Sequence, residues 1–449
     1  MFAQVFAVVV ASTAAVGPAA APAPVTQPGA PAPAPTPARV PPAPLTLDDC
    51  VKLAEAAPSP VAVAHRQQEI ARARHASARA GLLPRLAASA GYTRNSALPG
   101  APDTGSFVSL NGINQYTGLI TLTEEVDLSG RLRAGLARAR AEQDVAEASL
   151  QIHRRDLRRN VAAAYHRLLL ARRLAKVGAD SLAEAEQFAA RTELLAAKGE
   201  AARADIMRAS AQVAFLRQSH RAALLEGQLA NQELAAFFRD DVDTPLLIID
   251  VLDLPPALPA PAAAAHRHGL QLPPLRRPEL VLLEAQRRGF EAEARGASAL
   301  RLPQAAITAE YGIDSPQLSW RDRGYALLLT LTVPIFDWSN ASNTARQFAL
   351  QAEQIQLERA MMARTVNREY AAAQARVAAL YDQIGITLQQ VSLSEQSLKL
   401  SRVRYEGGEG SALEVVSAQA ELTQARSNHY QAIAAHLQAQ EDLIAAGGP

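Results

Sequence analysis

Two carboxylates stand where chemistry is first to be sought. Asp205 and Glu414 each follow a glycine-containing break in a long helical pattern, at Lys198-Gly199-Glu200 and at Glu406-Gly407-Gly408. Gly199 and Gly408 are separated by the same number of residues as Asp205 and Glu414. Acids so placed have two readings. They suit the positive end of a helix dipole, and repeated around a symmetry axis they would form a ring that selects or binds cations. Arg203 and Tyr405 flank the same breaks. Gly199, Gly407, Gly408 and Gly410 read most simply as turn residues that permit positive φ.

Other chemistries find little support. The nine histidines include His65, His75, His153, His166 and His220, which make no repeated i, i+4 pair, and His266-Arg267-His268 in a loop between two halves of the chain. Scattered surface positions are expected for them, not metal ligation. Asp240-Asp241-Asp243 falls where a helical pattern ends and reads as solvated loop. Neither a Gly-x-Ser-x-Gly elbow nor a phosphate-cradling glycine loop occurs. The single cysteine, Cys50, excludes a disulfide framework and a Cys-based zinc site. Asp48 and Asp49 precede it where a lipobox needs small or apolar residues, so Cys50 is expected within a helix. No enzyme activity, cofactor or metal is expected.

The elements that carry these residues are long helices. Hydrophobic residues make up 49% of the 449-residue chain but aromatics only 5%, and Ala and Leu supply most of the apolar total. That composition suits extended helical seams. Basic and acidic residues interleave to a net charge of +1, which gives no nucleic-acid surface. Phe2 to Val16 is apolar and leads to Ala19, Ala20 and Ala21, so residues 1–21 read as a signal peptide. The stretch lacks Lys and Arg, and a misassigned start or an unstructured tail fits the same residues. A Pro/Ala-rich linker follows over 22–44. No later segment reaches the ~18 uninterrupted apolar residues of a spanning helix. Any membrane crossing must therefore use strands.

The chain repeats one plan twice. Gly81-Leu82-Leu83-Pro84 ends a helical pattern and opens alternating Ala88, Ala90 and Tyr92. Leu300-Arg301-Leu302-Pro303 does the same before Ile307, Ala309, Tyr311 and Ile313. Strand-like segments Tyr116–Val126 and Tyr325–Ile335 come next, then turns at Asp127 and Asp337, then very long helices. In the second, Phe348, Ala352, Ile355, Met362, Val366, Ala373, Val377, Leu380, Ile384, Leu388, Val391 and Leu398 recur mainly at steps of three, four or seven. That is coiled-coil periodicity. From Ser342 to Tyr405 such a helix would be roughly 95 Å long at its standard rise, too long for a compact domain. An elongated bundle or a tube wall is required.

The strands alternate as membrane strands do. Tyr325, Leu327, Leu329, Leu331 and Val333 share one face and are the lipid-facing candidates. Thr117, Leu119, Thr121 and Thr123 oppose Tyr116, Gly118, Ile120, Leu122 and Glu124. Each segment has about the ~9–11 residues of a tilted transmembrane strand. Four strands cannot close a barrel, and lipid tolerates no open edge. Oligomerisation follows, and a trimer would give twelve strands.

With these motifs assembled, the chain from about Leu45 to Ala446 resembles the outer-membrane efflux protein family, the TolC-like proteins. The motifs are Leu45-Thr46-Leu47-Asp48-Asp49, Gly81-Leu82-Leu83-Pro84, Arg277-Pro278-Glu279-Leu280, Val333-Pro334-Ile335-Phe336-Asp337 and Arg404-Tyr405-Glu406-Gly407-Gly408. The resemblance implies a mainly α fold with a membrane β-barrel portion: a homotrimer with a twelve-stranded barrel joined to a periplasmic α-helical tunnel. Repeat 1 would span 45–239, an interrepeat linker 240–277, repeat 2 278–446 and a tail 447–449. It also implies a periplasmic adaptor, an inner-membrane pump of RND or ABC type, and a site in the outer membrane of a Gram-negative bacterium. Docking would involve the glycine tips; gating would involve Asp205, Arg203, Tyr405 and Glu414. The family's arginine two residues after the tip glycine falls on Gly410, with Arg203 near enough to replace it. Glu124-Glu125-Val126-Asp127-Leu128-Ser129-Gly130-Arg131 departs from the usual turn and resembles the heavy-metal efflux branch. A soluble coiled-coil scaffold and an adaptor protein are the competing classes; the first leaves the strands without purpose and the second should not repeat itself.

Overall fold

The computed structural model describes residues 44–98, 101–106, 113–252 and 277–448, with backbone alone at 97–98 and 101–106. The expected signal peptide, the Pro/Ala-rich linker up to residue 43, the histidines at 266 and 268, and residue 449 lie outside the described residues. Among the described residues no helix is long and apolar enough to cross a membrane.

Repeat 1 opens with two helices where the sequence indicated one. Helix α1 is Leu47–Ala56 and α2 is Pro60–Ala80. Pro58 and Pro60 cannot continue a helix, and Ser59 restarts it by accepting the Ala62 amide at 3.4 Å. Thr46 begins α1 with a reciprocal capping box to Asp49. Strand β1 (Arg85–Arg94) follows, then a short hairpin of β2 (Ala97–Leu98) and β3 (Ala101–Ser106), then β4 (Asn114–Val126). Alternation gave no sign of the hairpin. Helix α3 (Arg131–Ala197) and α4 (Arg203–Ala235) complete the copy. Repeat 2 supplies α5 (Pro278–Ala299), β5 (Gln304–Ser315), β6 (Arg323–Thr332), α6 (Asn340–Glu406) and α7 (Ala412–Gly447). Strand β6 stops at Thr332, opposite Gln304 at the start of β5, and Pro334 beyond it has no N–H to pair. Val333 therefore lies just outside the strand face assigned to it.

The two great helices have 67 residues each, about 100 Å at the standard rise. Each starts from an aspartate that replaces missing amide partners. Asp127 accepts the Leu132 and Arg133 amides at 3.1 and 3.0 Å, and Asp337 accepts those of Ser339 and Ala341 at 3.0 and 2.9 Å. The expected stripe on α6 is buried or half-buried throughout except at Leu388, which is exposed.

The largest core forms a belt around the middle of the helices. Cys50, Val161, Leu168, Leu234, Leu246 and Leu252 pack there. The first part of the expected linker, up to Leu252, belongs to this belt. Leu45 pairs with Ile248 in a parallel bridge, the Tyr165 hydroxyl donates to the Ile249 carbonyl at 2.9 Å, and Asn231 holds Leu246 at 2.8 Å. Its apolar Leu-Leu-Ile-Ile run needed a core, which the reading as a linker did not provide. Burial pushes the Cys50 thiol up to about 11 and the Tyr165 hydroxyl up to about 12. The histidine expectation also changes: His166 and His436 are buried. His166 meets Gln438 at 3.2 Å, and burial lowers its affinity for a proton. No His, Cys, Asp and Glu grouping suited to a metal occurs among the described residues.

Candidate functional site

The four main strands form one antiparallel sheet in the order β1-β4-β5-β6, so β1 and β6 are bare edges. Register assigns every side chain to a face. Leu86, Ala88, Ile120, Leu122, Ile307, Leu327 and Leu329 share the apolar face; Ser89, Thr121, Thr123, Thr308, Glu310 and Thr330 share the other. Along β4 the Thr117-to-Thr123 face is half-buried, whereas Gly118, Ile120, Leu122 and Glu124 are exposed. A bare sheet hides its concave side, so the sheet curls toward the polar face. Tyr325, Leu327, Leu329 and Leu331 lie together on the convex apolar face, Tyr325 being 87% exposed. Tyr92 and Tyr116 meet on that face with ring centroids 5.0 Å apart. Below the sheet, exposed Phe336 and Trp338 meet edge to face at 4.6 Å. Aromatic groups at both ends of an apolar band are the pattern of a membrane barrel.

The helices repeat the lateral order of the strands. Next to the sheet, α2 packs on α3, α3 on α5, and α5 on α6; in the other half α4 packs on α3, α3 on α7, and α7 on α6. Helix α6 is thus one flank throughout, and α2 followed by α4 is the other. Both flanks expose apolar stripes. Leu350 and Leu357, then Ile386, Leu393 and Leu400, follow at seven-residue intervals on α6; Val63 and Ile70 mark α2, and Met207, Phe215, Leu225 and Leu229 mark α4. Each stripe was legible in the sequence by its spacing, but the inner stripe of α6 absorbed that signal.

The hairpin tips lie side by side, because Phe188, Ala209, Leu398, Tyr405, Ala412 and Val415 share one core. Gly199 and Gly408 adopt φ of 82° and 76°, as the turn reading requires. Gly407 and Gly410 do not adopt positive φ. Gly407 is a right-handed helix cap, and Gly410 is needed for space: a Cβ there would lie 3.0 Å from the Tyr405 nitrogen. Tyr405 is 8% exposed and meets Phe188 in a tilted ring pair at 5.2 Å, so this ring is part of the core beneath the tips. Glu414 is held by Arg404 at 3.1 Å while its amide is capped by Ser411 at 3.3 Å. Asp205 sits half-buried in the first turn of α4, and Arg203 is exposed with no ion pair among the described residues. Arg404, ahead of the turn, is the arginine that ties this tip.

Comparison with known proteins agrees with this architecture. The family model described as outer membrane efflux protein matches residues 51–237 and 270–449, one segment per repeat. A relative, the outer membrane protein OprJ of Pseudomonas aeruginosa, is 29% identical over 149 residues. That match covers 32% of this chain and 31% of OprJ, about a third of the relative's length. The crystal structure of the Campylobacter jejuni CmeC outer membrane channel superposes with a TM-score of 0.77 at 16% identity, over 90% of this chain and 85% of that one. The outer membrane protein VceC of Vibrio cholerae gives 0.74 at 19%, over 90% and 96%. The open-state MtrE outer membrane channel of Neisseria gonorrhoeae gives 0.74 at 22%, over 90% and 89%. Two edge-bearing layers built from a duplicated strand-and-helix plan, matched along both copies, identify the chain as a member of the outer membrane efflux protein family.

Proposed function

We propose that the protein is one subunit of a homotrimeric outer-membrane duct that conducts substrates from the periplasmic side to the exterior. The shared lateral order of strands and helices carries this reading. Strand β6 runs antiparallel to β1, so β6 of one protomer can pair with β1 of the next in an unbroken antiparallel ladder. The same rotation brings α6 against the neighbour's α2 and α4, apolar stripe to apolar stripe. Open edges are not tolerated in lipid, and three copies supply an even strand number within the bacterial range.

Conduction needs no catalytic group, and energy for export comes from a partner. A periplasmic adaptor would engage the tips around Gly199 and Gly408, and an inner-membrane pump would supply substrate. Asp205 and Glu414 would place acidic charge near the narrow end, where it favours cations. The test is fractionation followed by reconstitution: the protein should partition with the outer membrane and form pores in planar bilayers. Recovery in the soluble periplasmic fraction would favour a scaffold instead. Asp205→Asn with Glu414→Gln should reduce the preference for cations over anions. Sensitivity of a deletion strain to zinc and cobalt, compared with hydrophobic drugs, tests the metal branch suggested by the turn from Glu124 to Arg131.

A further inference from the structure

Where sheet meets helices, α3, α5 and α6 border an open cavity of about 1010 Å³. Four arginines line it: Arg133 from α3, Arg295 from α5, Arg301 from the turn after α5, and Arg346 from α6. No acidic side chain lines it among the described residues. Arg133 is compensated by Asp127 at 2.9 Å. Arg295, Arg301 and Arg346 have no ion pair or side-chain hydrogen bond among the described residues and are exposed. Three cations from three separate segments are therefore gathered with no carboxylate among the described residues paired to them. The cost of such crowding is offset when an anion is present.

The position of the cavity bears on the class of anion. A separate cleft on the polar side of the sheet base is bordered by Arg131, Gln304, Thr330 and Thr332. The arginine cavity lies on the opposite side of α3, since Gly130, Arg133 and Ala137 line it and Arg131 and Leu132 do not. It thus opens outward, directly beneath the convex apolar face. Leu128 and Leu302 form its membrane-side border, and both are exposed. Exposed Phe336 and Trp338 lie at the same end of the sheet and mark the interface level. Apolar groups above and guanidinium groups below match the two ends of an anionic phospholipid. Arginine forks suit phosphate oxygens.

We propose that this cavity seats the phosphate headgroup of an anionic phospholipid of the periplasm-facing leaflet, its acyl chains rising over Leu128 and Leu302. The assignment of leaflet rests on the duct orientation proposed above. The alternative occupants are free phosphate and carboxylates of a neighbouring protomer.

The test uses the full-length protein in neutral detergent and the triple variant Arg295→Gln, Arg301→Gln, Arg346→Gln. Phosphatidylglycerol should raise the melting temperature of the wild type and remain bound in native mass spectra. Phosphatidylcholine and inorganic phosphate should do neither. The triple variant should bind phosphatidylglycerol at least roughly tenfold more weakly, given the contribution expected per basic residue. Equal phosphatidylglycerol binding by both proteins would overturn the proposal. So would an equal stabilisation by inorganic phosphate alone, or loss of the oligomer in the lipid-free variant, which would assign the arginines to a neighbour. Pore formation is measured on both proteins separately: absent pores in the wild type would count against the duct reading, not against lipid binding.

Discussion

The two hairpin tips occupy the same place in the repeat and are built to different standards. The second is tied at several points: Ser411 caps α7, Arg404 reaches Glu414 at 3.1 Å and donates to the Glu409 carbonyl at 3.3 Å, and Tyr405 packs against Phe188. The first has Ala202 before α4 with no side-chain cap, and Lys198 and Arg203 make no ion pair among the described residues. Duplication conserved the backbone turn, and the polar fastening exists in one copy only. A ring of tips alternating between tied and untied hairpins would yield at the untied ones. Local opening is controlled by such differences in side-chain anchorage.

Tyr405→Ala should have the largest effect. Losing a buried aromatic ring costs about 3 kcal/mol or more, and amide exchange should rise in both tips, because Phe188 on α3 loses its partner. Unchanged protection around Gly408 would break the comparison. Gly199→Val and Gly408→Val should each cost about 1–2 kcal/mol, since both turns hold left-handed φ. Thermal denaturation in detergent should find the two costs similar, confirming that the turns match while the fastenings differ. Arg404→Ala should cost only about 0.5 kcal/mol in stability, as exposed ion pairs do. A double-mutant cycle with Glu414→Ala would isolate that coupling, whereas Arg203→Ala should leave stability unaltered.

Acid supplies the smallest test and separates the tips from the central belt. Burial holds the His166 imidazole below its ordinary value, while Gln438 opposes that shift. The folded state thus favours the neutral ring. The stability it contributes is present above about pH 6.5 and is lost as pH falls below that value. Amide exchange in the belt should therefore rise on acidification to about pH 5.5, with the tip difference unchanged. His166→Gln should remove that part of the belt's pH response.

The legible and illegible parts divide along physical lines. Period and punctuation located the second long helix to within a residue or two, because Pro and Gly mark its ends and no Pro interrupts it. Alternation assigned Leu327, Leu329, Thr121 and Thr123 to their faces, because one register satisfies both sides of a membrane sheet. What the sequence could not convey were contacts between distant segments. The Phe188–Tyr405 contact joins α3 to α6, so the burial of this ring depends on a residue more than two hundred positions away. The burial of Leu246 and Leu252 depends on α3 and α4 meeting the connection between repeats. Gly410 looked like another turn glycine until the approach of Tyr405 set a spatial demand.

The central claim is that the bare edges β1 and β6, and the flanks α2, α4 and α6, are closed by further copies of this chain. Native mass spectrometry of the detergent-extracted, pore-forming protein tests it most directly. The account predicts three protomers per particle, with no stable monomer that retains conductance. A conducting monomer, or a stable assembly of any other number, would contradict it.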